Sequence, residues 1–152
     1  MSEIKWEPQP GAMEIETACA EDMQPTRAHM HDAGADLRAS WGVKFMPGEI
    51  KAAPTGVRVA IPEGYVGLLF ARSSLCNWGM LLANGVGVID SGYTGEIKVP
   101  LFNVSPRVFE LPAGARIAQL VVVPCELPVF RRVDEFKETE RGEDGFGSTG
   151  VE

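Results

Sequence analysis

Short runs of Val, Ile, Leu and Phe alternate with polar residues along most of the chain and are broken every few positions by Gly or Pro. Period-two alternation marks strands with one buried face, and such frequent breaks leave little room for long helices. Val57, Val59 and Ile61 line up on one strand face between Gly56 and Pro62. Residues 65–74 read as an apolar strand that leaves its sheet at Ala71-Arg72-Ser73-Ser74-Leu75. Weaker alternation over 13–18 suits an edge strand, 32–40 begins another, and 108–111 is a short strand after the turn at Ser105-Pro106-Arg107. ARIAQLVVV, residues 115–123, is the most continuous apolar run and hence a central strand. Strict alternation places Arg116 and Gln119 on opposite faces of it, so without a bulge both cannot meet one ligand. Gln119 is the expected contact, since a buried amide must find a partner.

Residues 84–103, NGVGVIDSGYTGEIKVPLFN, stand apart. Apolar positions alternate on both sides of a Gly-rich turn, which predicts a hairpin whose arms present main-chain groups at close range. Gly85, Gly87, Gly92 and Gly95 remove side-chain bulk and permit positive φ where the turn needs it. A flat ligand fits such a frame. Asp90, Tyr93 and Asn84 within it are suited to orienting a water, covering a ring and reading a polar edge.

Composition narrows the class. The 152 residues suffice for one domain, and 17 Gly and 11 Pro spread between short apolar runs predict an all-β sandwich or barrel. A net charge of −7 argues against a basic footprint for DNA or RNA. Cys19, Cys76 and Cys125 are odd in number and isolated, which reads as reduced thiols in a cytoplasmic protein. Neither a leader with an apolar core nor a membrane-spanning run is present, and residues 1–11 read as a loose leader. His29 and His31 share one strand face but have no third metal ligand nearby.

Two further stretches carry candidate chemistry. Arg72 with the hydroxyls of Ser73 and Ser74 suits phosphate oxygens at a strand end, and the same residues equally suit capping a helical turn over 75–80. Asp36, among small residues, reads as a turn cap, a structural acceptor or a magnesium-water ligand. The charged tail ends in ERGEDGFGSTGVE, whose glycines cannot hold a sheet and predict mobility in the absence of ligand. Its GFGSTG can fold into an anion nest completed by Ser148 and Thr149, with Phe146 as a flat cover and Arg141 as a charge.

Taken together, the stretches at 33–39, 71–75, 84–103, 114–124 and 141–150 resemble, in order and spacing, the trimeric dUTPases, the deoxyuridine triphosphate nucleotidohydrolases. The resemblance implies an all-β jelly roll, a homotrimer and three active sites between subunits. It implies a jelly-roll domain over 1–130 and an arm over 131–152 that completes another subunit's site. The implied reaction is hydrolysis of dUTP to dUMP and pyrophosphate by water attack on the α-phosphorus, which keeps uracil out of DNA and supplies dUMP for thymidylate synthesis.

Roles follow position by position. Asp90 matches the catalytic acid that holds the sugar 3′-hydroxyl and activates the water. Tyr93 matches the residue under the deoxyribose, Asn84 a side chain helping to bind uracil, and Val88, Ile89 and Lys98 main-chain contacts. Arg72, Ser73 and Ser74 match the phosphate loop, and Gln119 an amide reaching a neighbouring subunit's phosphates. Arg141, Phe146, Gly147, Ser148 and Thr149 match the closing arm, Phe146 over uracil and the others at the phosphates. Mg2+ is implied as an ion carried on the triphosphate, with Asp36 in its outer shell through water. Ser74 and Asp144 depart from the glycines common in the family at those positions. Two alternatives remain: a deaminase of dCTP, which resembles this hairpin but needs an acid where Pro100 stands, and a non-catalytic trimer whose nucleotide-gated arm regulates a partner.

Overall fold

A computed structural model of the chain describes residues 11–139 and Gly142. The leader through Pro10 and the tail residues Arg141, Asp144, Phe146, Gly147, Ser148 and Thr149 lie outside the described residues. The fold is all-β, a jelly roll, with eleven short strands among the described residues: β1 (Thr17–Ala18), β2 (Ala35–Arg38), β3 (Val43–Phe45), β4 (Ile50–Pro54), β5 (Arg58–Val59), β6 (Tyr65–Ala71), β7 (Met80–Leu82), β8 (Gly87–Ile89), β9 (Lys98–Asn103), β10 (Phe109–Leu111) and β11 (Arg116–Pro124). The helical content among the described residues is one turn at Ser73–Cys76 and a 3-10 turn at Glu21–Met23. No helix among the described residues is long and apolar enough to cross a membrane.

Strands associate as β2-β11-β6-β8 and β4-β9-β7, with the pairs β1-β5 and β10-β3 beside them. As the apolar run predicts, β11 is central, pairing antiparallel with β2 on one side and with β6 over seven positions on the other. Inward side chains of both larger sheets share one core: Leu37, Leu69, Ile117 and Leu120 from one, Ala53, Met80, Val99 and Leu101 from the other. Val57, Val59 and Ile61 are all buried, although only Arg58–Val59 is paired as a strand. The expected edge strand over 13–18 shrinks to Thr17–Ala18 against β5.

One buried amide ties the end of β9 to the chain around it. The Asn103 Nδ2 donates to the carbonyls of Phe45, Met46 and Arg107, and its Oδ1 accepts from Ser105 N–H and Oγ–H, so a fully buried polar group is satisfied on both ends.

The predicted hairpin at 84–103 needs correction. Its arms do not pair with each other: β8 pairs with β6, and β9 lies between β4 and β7 in the other sheet. The two arms thus belong to different sheets, so they splay and leave a gap.

Candidate active site

The gap between the splayed arms is a slot of about 390 Å3 lined by Val88, Ile89, Asp90, Tyr93, Glu96, Ile97 and Lys98. Because β8 is the outer strand of its sheet, the main-chain groups on its far edge have no strand partner among the described residues and face this side. The turn at its mouth closes with Tyr93 N–H donating to the Asp90 carbonyl at 3.1 Å, and Gly92 there has φ of 85°, which a side chain would strain.

The slot is pinned from beneath by the segment at 55–58. Thr55 Oγ1–H donates to the Ile97 carbonyl at 2.6 Å, Gly56 N–H to Glu96 Oε1 at 2.8 Å, and Arg58 Nε–H to the Thr94 carbonyl at 2.6 Å. Tyr93 Oη–H donates to the Glu96 carbonyl at 3.0 Å, which lays the ring back over Gly95. A Cβ on Gly95 would stand 2.5 Å from that hydroxyl and 2.6 Å from the ring carbon bearing it, so this glycine makes room for the tyrosine rather than for a ligand. Asn84 is exposed before β8, with its amide beside Gly87 and outside the slot lining. The Asp90 carboxylate is exposed and makes no hydrogen bond or ion pair among the described residues. It is thus uncommitted, as a base acting on water requires.

At the other end of β6 lies a second concavity, of about 250 Å3, lined by residues that include Asp32, Gly34, Asp36, Arg72 and Gln119. Arg72 stands just before the helical turn at Ser73–Cys76, with Ser73 and Ser74 opening it; that turn begins two residues earlier than the reading over 75–80. Asp36, 6% exposed, faces two guanidinium groups, with Oδ1 3.0 Å from Arg72 Nε and Oδ2 3.1 Å from Arg116 Nη1. The Arg72 contact is an ion pair rather than a hydrogen bond, since its buried Nε–H has no acceptor in line. Gln119 lies opposite Asp36 in register, and a Cβ on Gly34 would sit 2.8 Å from the Gln119 Cβ, so the missing side chain clears its place.

Sequence reasoning missed Arg116, because β11 carries the bulge that strict alternation leaves out. Arg116 opposes Arg38, and Ala118 opposes Leu37, so the strand gains one residue against β2. That extra residue turns Arg116 to the face of Asp36 and Gln119. The signal was visible in the adjacent apolar pair Ile117 and Ala118, both fully buried between two polar residues.

No group of three His, Cys, Asp or Glu side chains converges to hold a metal among the described residues. With both Asp36 oxygens facing arginines, the donor set suits an ion that arrives on phosphate oxygens and water, not one caged by protein. The thiols are free; Cys76 is exposed, and burial together with the nearby Asp22 pushes the Cys19 thiol up from its ordinary value.

A family model described as dUTPase matches residues 21–150. The chain belongs to the dUTPase family. It is 48% identical over 139 residues to the deoxyuridine 5'-triphosphate nucleotidohydrolase of Cutibacterium acnes, covering 90% of this chain and 91% of that one. Among solved structures, a mutant dUTPase of Staphylococcus bacteriophage 80alpha with dUpNHpp superposes with a TM-score of 0.83 at 31% identity, over 92% of this chain and 100% of that one. A mutant dUTPase of phage phi11 of S. aureus, described as revealing the coordination of a structural Mg(II) ion, gives a TM-score of 0.75 at 28% identity, over 83% and 100%.

Proposed function

We propose that this chain hydrolyses dUTP to dUMP and pyrophosphate, with Asp90 as general base for the water that attacks the α-phosphorus. The observation that carries this reading is the slot itself: among the described residues, an open strand edge on one side, a pinned tyrosine at the mouth and a carboxylate without a partner beside it. Uracil pairs with the free main-chain edge of β8 as a further strand would, with Val88, Ile89 and Lys98 contributing backbone and Asn84 its amide. A cytosine amino group would meet a donor there and leave it unpaired, at a cost of about 1–3 kcal/mol. Tyr93 packs under the deoxyribose and leaves no space for a ribose 2′-hydroxyl.

The phosphate-binding residues belong to another chain. From Val66, one step beyond the Gly67–Ile89 pair, to Arg72 the strand advances six residues, roughly 20 Å at the rise of an extended chain. A triphosphate whose first phosphorus lies beside Asp90 cannot reach Arg72 of the same chain across that distance. A homotrimer, in which Arg72, Ser73, Ser74 and Gln119 of one subunit face the slot of the next, satisfies both ends. The arm over 131–152 then closes the site, with Phe146 on uracil and Arg141, Gly147, Ser148 and Thr149 on the phosphates. Magnesium bound with the substrate supplies neutralising charge to the triphosphate, and Asp36 meets it only through water.

A nucleotide panel with Mg2+, scored for pyrophosphate, monophosphate and ammonia, tests this reading. Selective formation of dUMP is expected. Ammonia from dCTP would favour the deaminase, for which Pro100 within β9 offers no acid; dUTP binding without turnover would favour a regulatory trimer.

A further inference from the structure

The residues around Asp36 form a chain of charges, Arg72, Asp36, Arg116, of which only the first two line the 250 Å3 concavity. Among the described residues Arg116 stands outside the lining and touches the site through the Asp36 carboxylate alone. On the reading that Arg72 meets the triphosphate, we propose that Arg116 is a positioning residue for phosphate binding. It acts through Asp36 to hold the Arg72 guanidinium and to leave its positive charge available to the substrate.

Charge counting shows why two arginines are needed. Asp36 and Arg72 alone would form a neutral pair facing a polyanion, in a site where the buried carboxylate also repels phosphate. With Arg116 on the second oxygen, the carboxylate is cancelled from behind, and the cluster carries a net charge of about +1 toward the concavity. Among the described residues the Arg72 Nη groups and the Gln119 amide have no partners, so they are available to oxygens of a ligand. The bulge at Ile117 is what brings Arg116 to the correct face; without it the side chain would point to the opposite side of β11 and Asp36 would keep only one partner.

The test uses the full chain with Mg2+ and reads KM and kcat for dUTP together with Kd for dUpNHpp and for deoxyuridine. Arg116→Gln is expected to raise KM and the Kd for dUpNHpp about tenfold, while deoxyuridine binding and kcat stay within about threefold. Arg116→Lys keeps the charge and should remain within about threefold of the unsubstituted chain in every constant. The informative variant is the double one, Asp36→Asn with Arg116→Gln. It deletes one negative and one positive charge, frees the Arg72 cation again, and should recover most of the lost dUpNHpp affinity when the Kd values of all variants are also compared without Mg2+, where the water-mediated contact of Asp36 with the ion does not enter. A merely structural role gives additive losses instead. Unchanged dUpNHpp affinity in Arg116→Gln, or a double variant that binds more weakly than the single one, overturns the proposal. If the melt shows that Arg116→Gln does not fold, Arg116→Lys and the double variant decide: a double variant with under a tenth of the unsubstituted affinity, or a tenfold loss in Arg116→Lys, overturns it. Failure of the unsubstituted chain to hydrolyse dUTP overturns the proposed activity itself and is seen separately in the same kinetics.

Discussion

The two ends of β6 solve recognition by opposite means. At the slot, the groups on offer are main chain, an open edge on β8 beside a turn closed on Asp90, held in place by side-chain-to-backbone pins that involve Thr55, Glu96 and Arg58. At the concavity, contacts come from long side chains held by one another, with Asp36 between two arginines and Gln119 seated over Gly34. The two carboxylates express the same contrast, since Asp36 is buried and committed while Asp90 is exposed and uncommitted. Backbone recognition suits a flat base whose edge never changes; side-chain recognition suits a flexible polyanion whose strength of binding can be set by charge.

That contrast can be broken at four places, three read in kinetics in falling order of effect and the last read in stability. Asp90→Asn removes the proposed base and is expected to lower kcat by about 10²–10⁴-fold with dUpNHpp affinity kept, measured by stopped assay and calorimetry. Gly95→Ala places a methyl group where the Tyr93 ring lies, so the ring must leave the slot and preference for dUTP over UTP should fall about tenfold in kcat/KM. Gly34→Ala pushes Gln119 aside at the other end, and should raise KM by about three- to fivefold without changing the dUTP to UTP ratio, since the amide is displaced rather than removed and loses only part of a hydrogen bond to a charged phosphate. Thr55→Val deletes a pin beneath the slot and should cost about 1–3 kcal/mol in a melt, weakening deoxyuridine more than pyrophosphate. If Gly95→Ala and Gly34→Ala had the same kinetic signature, the division of labour between the two ends would be wrong.

Much of this was legible before any coordinates. The continuous run of β11, the strand leaving the sheet at Ala71 and the buried face of Val57, Val59 and Ile61 all follow from period-two patterning, because burial on one face leaves a local trace. Partnership leaves no such trace. The arms at 84–103 have the alternation and turn of a hairpin, yet each pairs elsewhere, since strand pairing is decided by surfaces far away in sequence. The bulge was hidden for a related reason: two residues against one is a property of β11 and β2 together, and only the doublet of buried Ile117 and Ala118 hinted at it. Asn103 went unnoticed as a hub because its partners at Phe45 and Met46 are more than fifty positions away.

The separation of Asp90 from Arg72 along one strand has a genetic corollary. On the proposed site shared between neighbouring chains, two damaged versions, one lacking the carboxylate of Asp90 and the other the guanidinium of Arg72, would each give an assembly in which every centre is broken. Unfolded together and allowed to reassemble, they would form mixed rings in which some centres draw both intact halves from different copies. Activity would then reappear from two dead parents, and would fade again on dilution as the rings come apart.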